Sequence, residues 1–169
     1  MDDNQLRAAI ERLGRGEQTA LEELFDELKT PVFTIILRIV GEHELSEDIL
    51  QEFFLKLFRS PPTEPIQKPR AYLFRMARNM ALDGLKKRRD SAPLEEGHEP
   101  AECPDFAWRA DVADAFAALP LAERQIIALH LNGGLKFREI AEMMGQPMGT
   151  VLWRYRKAIG ALRDILNGG

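Results

Sequence analysis

The stretch GLKFREIAEMMGQPMGTVLWRYRKA, residues 134–158, has the pattern of two helices joined by a tight turn. Apolar residues recur in it at helical spacing, and Ala141 is small at a position where two helices must approach closely. Gly145 is able to adopt the positive φ of a sharp turn, and Thr150 caps or enters the second helix. The stretch therefore predicts a helix-turn-helix, a motif that places its second helix in the major groove of DNA.

The first half of the chain is also helical in pattern and lacks the alternation typical of strands. An apolar stripe over residues 21–37 predicts a core helix, with Thr30-Pro31 as a kink or restart because proline lacks an amide donor. The stripe consists of Leu21, Leu24, Phe25, Leu28, Val32, Phe33, Ile36 and Leu37. The segment SEDILQEFFLKLF, residues 46–58, predicts a second helix with Ser46 as its N-cap.

A proline-rich break over residues 59–69 precedes a third predicted helix, over residues 70–90. Its apolar positions are Tyr72, Leu73, Met76, Met80 and Leu85. Gly84 lowers helix propensity by about 1 kcal/mol relative to alanine and marks fraying before the basic end. In the second half, Leu119-Pro120 opens a helix that ends at the glycines of residues 132–134. The apolar positions of that helix are Ile126, Ile127, Leu129 and Leu131.

Charge is unevenly distributed along the chain, although the net charge is only -4. Residues 69–90 hold seven bases and two acids, and residues 133–163 hold six bases and two acids. Residues 91–110 instead hold five acids, one base and three prolines, which is typical of a linker. The sequence therefore predicts an all-α protein with two small helical domains, residues 1–90 and 111–169, joined by a flexible acidic linker.

The composition, 45% hydrophobic and 30% charged, is that of an ordinary globular protein. No apolar run approaches the roughly 18 residues of a membrane span, and the polar N-terminus is unlike a signal peptide. We therefore expect a cytoplasmic protein without membrane insertion.

Cys103 is the one cysteine, and His98 lies near it in an acidic tract where such side chains are usually solvated. No metal and no cofactor are predicted.

The chain resembles a known family in three segments, which are SEDILQEFFLKLF, RAYLFRMARNMALD and LPLAERQIIALHLNGGLKFREIAEMMGQPMGTV. That family is the extracytoplasmic-function (ECF) group of the sigma-70 family, the promoter-recognition subunits of bacterial RNA polymerase. The resemblance covers residues 18–90 and 112–163 and includes the helix-turn-helix. It implies a chain that binds RNA polymerase core and promoter DNA and assists strand opening, while the polymerase is the catalyst. It also implies an anti-sigma protein that wedges the two domains apart. The sequence leaves the oligomeric state open, and a monomer is the expected form when free.

The resemblance implies a polymerase-binding face on the helix over residues 46–58. The residues expected there are Asp48, Gln51, Glu52 and Lys56. By resemblance this face docks on the clamp coiled coil of the largest polymerase subunit. Carboxylates three and four residues apart share one face of a helix and complement a basic partner. The alternative is an acidic surface that only faces solvent.

The helix over residues 70–90 and the loop before it resemble the part of the family that handles the minus-ten element. Tyr72, Asn79 and the loop over residues 60–69 are candidates for a pocket that holds a flipped base. The phosphate contacts expected beside it are Arg75, Lys86, Lys87, Arg88 and Arg89. Family members usually carry tryptophan where Tyr72 stands, and the alternative reading of Tyr72 is a half-buried core aromatic.

The helix-turn-helix resembles the domain that binds the minus-thirty-five element. The DNA-binding residues expected there are Lys136, Arg138, Thr150, Trp153, Arg154, Arg156 and Lys157. The family usually has lysine or arginine where Leu152 stands and serine where Trp153 stands. A bidentate guanine contact is therefore lost at Leu152. Trp153 packs on the sugar-phosphate wall or a neighbouring helix, or alternatively belongs to the core.

A second hypothesis is a sigma-like decoy, which binds an anti-sigma protein without reading promoters. The acidic net charge and the altered recognition helix favour a decoy, whereas the basic cluster over residues 86–89 counts against it. An enzyme is the third class. It is disfavoured because the sequence has no glycine-rich phosphate loop and no nucleophile paired with a base.

Overall fold

Eight α-helices and one π-helical turn make up the described part of the chain, residues 1–90 and 110–168 of a computed structural model. The helices are α1 (Asp3–Gly14), α2 (Gln18–Val40), α3 (His43–Arg59), α4 (Pro69–Asp90), α5 (Ala110–Ala117), α6 (Leu121–Ile127), α7 (Phe137–Met144) and α8 (Met148–Gly168). Those residues contain no strand, and the prediction of an all-α protein is confirmed. None of their helices is long and apolar enough to cross a membrane. His98 and Cys103 lie outside the described residues.

The central helix is α2, and it continues through Pro31 without interruption. Of the two alternatives predicted at Thr30-Pro31, the restart is therefore wrong, and the kink stays a prediction. Every residue from Val32 to Val40 is buried, because α1, α3, α4 and elements of the second half all pack around this segment. The apolar burial outweighs the roughly 3 kcal/mol that an interior proline costs a helix.

The N-cap of helix α3 lies four residues earlier than the sequence predicted. Gly41 ends α2 with a φ of 76°, and the chain turns at once into α3, whose N-cap is Glu42. Ser46 is therefore an interior helical residue, and the prediction that it is the N-cap is wrong. Its buried hydroxyl donates to the carbonyl oxygen of Glu42 at 2.6 Å.

Gly84 lies where α4 crosses α3, and α4 continues to Asp90 rather than fraying at the glycine. A Cβ atom at Gly84 would lie 2.7 Å from Cδ1 of Ile49, so the absence of a side chain permits this close crossing. The buried residues of α4 are Pro69, Leu73, Phe74, Ala77 and Ala81. The prediction of Met76 and Met80 as core positions is only partly right, because both are half-buried.

Helix α1 is held on α2 by apolar packing and by a charged network. Its buried residues are Leu6, Ala9, Ile10 and Leu13. Arg12 donates to Glu17 and Glu23, each at 2.8 Å. The hydrogen bond from Arg12 lowers the pKa of Glu23 below its ordinary value. Because that pKa is depressed, this stabilisation is present at neutral pH and is lost as the pH falls through the folded-state pKa of Glu23.

In the second half, α6 follows Pro120 and passes into the π-helical turn Ala128–Asn132. The predicted helix therefore exists, but its last turn is wider than an α-helix, and Leu131 is 58% exposed rather than core. Gly134, with a φ of 69°, reverses the chain into α7. The aromatic rings that join these elements are His130, Phe137 and Tyr155.

The second half packs directly against α2 and α4, and the two halves share one apolar core. Gly133 is a point of close approach, because a Cβ atom there would lie 3.4 Å from Ile35 and 3.3 Å from Phe74. Nε of Arg78 donates to Oε1 of Gln125 at 2.7 Å across this contact. The free chain therefore holds its two helical units together.

Gly133→Ala is expected to destabilise the chain by about 1–3 kcal/mol, because the added Cβ would meet the Leu129 carbonyl at 2.6 Å and crowd Phe74 and Ile35 at 3.3 and 3.4 Å. The control is Gly160→Ala in α8, where nothing lies within 4 Å. That change is expected to stabilise by up to about 1 kcal/mol. Urea unfolding measures both, and equal effects of the two changes would contradict the packing described for Gly133.

Candidate functional site

The residues predicted to bind polymerase all lie exposed on α3, as the predicted outer face requires. They divide between two sides of the helix. Asp48, Glu52 and Lys56 line a groove between α3 and α4 that also contains Asp83 and Lys87. The groove thus mixes acids and bases, with its carboxylates toward the start of α3 and on α4.

Gln51, the fourth predicted residue, opens on a second groove between α2 and α3 whose floor is apolar. Phe25, Leu55 and Phe58 line it and are 38%, 47% and 51% exposed. The prediction of Phe25 as a core residue is therefore wrong, because its ring lies at the rim and contacts Phe54 at 4.9 Å between centroids. Sequence reasoning missed this groove, although Leu55 and Phe58 share a helix face at a spacing of three.

The three candidates at the start of α4, Tyr72, Arg75 and Asn79, are all exposed. Tyr72 is 40% exposed, so it is not a buried core residue, although more than half of its surface is covered. Tyr72 and Arg75 line a groove with Ile66 and Gln67 of the preceding loop. Tyr72, Arg75 and the end of the loop thus come together, whereas Asn79, which was expected in the same pocket, does not line this groove.

The opposite wall of that groove belongs to α7, through Glu139, Glu142 and Met143. The helix-turn-helix therefore lies against the surface that carries Tyr72 and Arg75. Two carboxylates facing a basic surface are electrostatically favourable in this arrangement. They would also repel the phosphates of DNA, so this surface is not open to a duplex while the two halves remain in contact.

The basic end of α4 differs from residue to residue. Lys86 and Lys87 are exposed, whereas Arg88 is half-buried and forms an ion pair with Glu42 at the start of α3. Arg88 is thus engaged within the protein, and its prediction as a simple phosphate contact is weakened. Burial lowers the pKa of Arg78, and the neighbouring charge of Arg75 lowers it further. The Arg78 guanidinium donates a hydrogen bond to Gln125.

The helix-turn-helix forms as predicted, with Gly145 at a φ of 64° in the turn between α7 and α8. Lys136 and Arg138 are exposed at the start of α7, and the amide of Lys136 donates to Glu139 at 3.0 Å. Helix α8 begins at Met148, so half-buried Thr150 lies inside its first turn rather than at its N-cap.

The recognition helix α8 presents its tryptophan to solvent. Trp153 is 59% exposed, so the alternative that places it in the core is wrong. Nζ of Lys157 lies 5.2 Å from the centre of the indole ring and 3.9 Å from the buried carboxylate of Glu123. Arg156 is exposed like Lys157, whereas Arg154 is half-buried. The exposed face of α8 is thus basic and aromatic.

Two family models match the chain, one for each helical unit. The sigma-70 region 2 model matches residues 24–91, and the sigma-70 region 4 model matches residues 109–162. The ECF RNA polymerase sigma factor SigL of Mycobacterium tuberculosis is 29% identical, over 94% of this chain and 96% of its own. The ECF RNA polymerase sigma factor SigK of Mycobacterium ulcerans is 26% identical, over 97% and 95%.

The fold is similar to those of two solved structures, both of them complexes. CnrH in complex with the cytosolic domain of CnrY has a TM-score of 0.72, with 21% identity over 96% of this chain and 97% of that one. The sigma factor RpoE in complex with the anti-sigma factor NepR, from Bartonella quintana, has a TM-score of 0.63, with 23% identity over 86% and 98%. The family matches and the relatives agree, and the chain belongs to the ECF group of the sigma-70 family of RNA polymerase sigma factors.

Proposed function

We propose that the chain directs RNA polymerase core to specific promoters through three surfaces: α3 for core, the start of α4 for the minus-ten element and α8 for the minus-thirty-five element. As a sigma factor it is an initiation factor and not an enzyme. The observation that supports these three surfaces is the exposure of their side chains to solvent. Asp48, Tyr72 and Trp153 lie on three separate helices and all are exposed, while the core buries apolar residues around α2.

For core binding, the proposed contacts are Asp48, Gln51, Glu52 and Lys56. Two carboxylates one turn apart attract a basic partner over a distance set by screening, about 8 Å at physiological salt. Contacts of this kind raise the rate of association and fix the register of the complex. The exposed apolar groove beside Gln51 would add apolar surface to the interface with core, which the charged side chains do not provide.

For the minus-ten element, the proposed pocket comprises Tyr72, Asn79 and the loop over residues 60–69. An exposed tyrosine ring is able to stack on an unpaired base, and such stacking contributes about 1–3 kcal/mol. Arg75 is exposed beside it, and Lys86 and Lys87 are exposed near the end of α4; all three would neutralise phosphates. Arg88 is the weakest of the proposed contacts, because Glu42 already pairs with it.

For the minus-thirty-five element, the proposed contacts are Lys136, Arg138, Thr150, Trp153, Arg154, Arg156 and Lys157. The exposed lysine and arginine side chains set affinity rather than specificity, because phosphate contacts carry no sequence information. Leu152 is half-buried and has no donor for a base edge. We therefore propose an upstream element whose recognition is altered or relaxed at the base that faces Leu152.

We further propose a cytoplasmic monomer when free, with domains over residues 1–90 and 111–169 and a linker over residues 91–110. The two similar structures are complexes, one of them with an anti-sigma factor, and they support an anti-sigma partner for this chain. A partner that wedges the domains apart would have to break the contact between Arg78 and Gln125.

The test is a selection from fragments of the source genome with core polymerase, with and without this chain. Complexes that survive a heparin challenge are sequenced, and the retained fragments are expected to share two elements at a fixed spacing. Retention that is equal with and without the chain would overturn the proposal. Binding of the chain to an anti-sigma protein but not to core would favour the decoy.

A further inference from the structure

A residue of α1 holds the end of the loop that precedes α4. Arg7 donates from Nε to the carbonyl oxygen of Ile66 at 2.7 Å and from Nη2 to that of Gln67 at 2.7 Å. A third donor, Nη1, lies 2.9 Å from Oδ1 of Asn4 on α1 itself. The planar guanidinium, half-buried and anchored on α1, thus fixes two successive peptide groups.

These two carbonyl groups stand directly before α4. The next carbonyl, that of Lys68, accepts the amide of Tyr72 at 3.0 Å and so begins the first turn of the helix. Ile66 and Gln67 line the same groove as Tyr72 and Arg75. Arg7 therefore sets the path of the chain along one wall of the proposed minus-ten pocket, although it does not line that groove itself.

The start of α1 is also fixed to the helices around it. Nη2 of Arg70 donates to the carbonyl oxygen of Met1 at 2.6 Å, and the amino group of Met1 pairs with Glu27 of α2. A capping box between Asp2 and Gln5 defines the first turn. The guanidinium of Arg7 is thus carried by a rigid support, which a residue must have if it is to position another group.

We propose that Arg7 is a positioning residue for the minus-ten pocket, which sharpens the discrimination between bases without touching DNA. This inference rests on the proposed role of the loop over residues 60–69. Helix α1 lies outside residues 24–91, which the region 2 model matches, so the family comparison assigns nothing to it. A pocket discriminates between bases only when its walls hold their geometry closely, and the two hydrogen bonds supply that constraint.

Arg15, the residue directly after α1, provides a control. It lines the groove between α1 and the loop, as Arg7 does. Its side chain makes no hydrogen bond or ion pair within residues 1–90 and 110–168. Arg15→Ala therefore removes the same charge from the same groove without releasing the loop, and Arg7→Lys keeps the charge but loses the two-pronged contact.

The experiment measures binding of single-stranded minus-ten oligonucleotides to holoenzyme, with each base of the element substituted in turn. In Arg7→Ala we expect discrimination at one or two positions to fall at least about five-fold, the smaller end of what one base contact contributes. Binding to a fully mismatched strand of the same length is expected to change less than about two-fold, because phosphate contacts are untouched. Arg7→Lys is expected to be intermediate, and Arg15→Ala unchanged.

The inference would be overturned if Arg7→Ala discriminated between the bases of the element as well as Arg15→Ala does. An equal loss on matched and mismatched strands would do the same, because it indicates general destabilisation. If Arg7→Ala does not fold, Arg7→Lys decides by the same two criteria. If the unsubstituted chain itself shows no discrimination at the element, the proposed role of the loop fails, and the inference fails with it.

Discussion

Reversal of two carboxylates on α3, in the variant Asp48→Lys with Glu52→Lys, is expected to weaken binding to core polymerase by at least about 100-fold. That factor corresponds to about 2.7 kcal/mol, which lies within the range for close charge pairs at interfaces. Both side chains are exposed, so the fold is expected to remain intact. Titration of core into a fluorescently labelled chain measures the loss, and a thermal melt checks the fold.

The control for net charge is Glu11→Lys with Asp164→Lys. Both acids are exposed, and neither is among the residues proposed to contact core polymerase. This variant is expected to bind core within about three-fold of the unsubstituted chain, because surface charges away from an interface act only through screened fields. If the α3 variant binds as tightly as this control, the assignment of Asp48 and Glu52 to core binding is wrong.

The second large effect is expected on α8. In holoenzyme, Arg156→Ala with Lys157→Ala should weaken promoter binding by about 30-fold at about 0.15 M salt, because each lost phosphate contact removes a counterion-release contribution of about five-fold. The slope of log affinity against log salt should become shallower by about two. The loss should be similar for all promoters with an upstream element, because phosphate contacts do not read sequence.

The outcome that would contradict this role is an unchanged salt slope. Arg163→Ala, further along the same helix, serves as the comparison, since the N-terminal residues of a recognition helix are those that enter the groove. Its slope should change less than that of the double variant. A loss confined to one promoter sequence would instead show that Arg156 or Lys157 contacts a base.

Leu152→Arg is expected to strengthen promoter binding, through a contact with one DNA base. A donor at this position is able to form a bidentate contact with guanine, which is worth about 1–3 kcal/mol of discrimination. Binding to upstream elements that differ at each position measures it. A gain spread evenly over all sequences would mean that the new arginine contacts phosphate, and that the sequence-specific interpretation of position 152 is wrong.

The helix-turn-helix was predictable from sequence because its signals are local. The apolar spacing and Gly145 lie within 25 residues of one another, and each specifies its own part of the motif. The error at the start of α3 has a local cause too. Ser46 is a good N-cap by type, but Gly41 ends α2 so close to α3 that the helix already includes Ser46.

Other features depend on contacts between distant residues, and no local pattern indicates them. Gly84 resembles a helix-weakening glycine until Ile49 is placed against it. Arg7 is one of several arginines on the surface of the first domain, and its importance follows from carbonyl groups 59 and 60 residues away. The exposure of Trp153 similarly follows from which face of α8 packs on the rest of the domain.

A chain that reads promoters as part of a polymerase accounts for the exposed surfaces of α3, α4 and α8 together. The most direct measurement is transcription in vitro from genomic fragments by core polymerase with and without the chain, with the transcript starts mapped. We expect new starts that share two upstream elements at fixed spacing, and their loss with the α3 variant. A chain that binds core but gives no new start on any fragment would contradict a promoter-reading function.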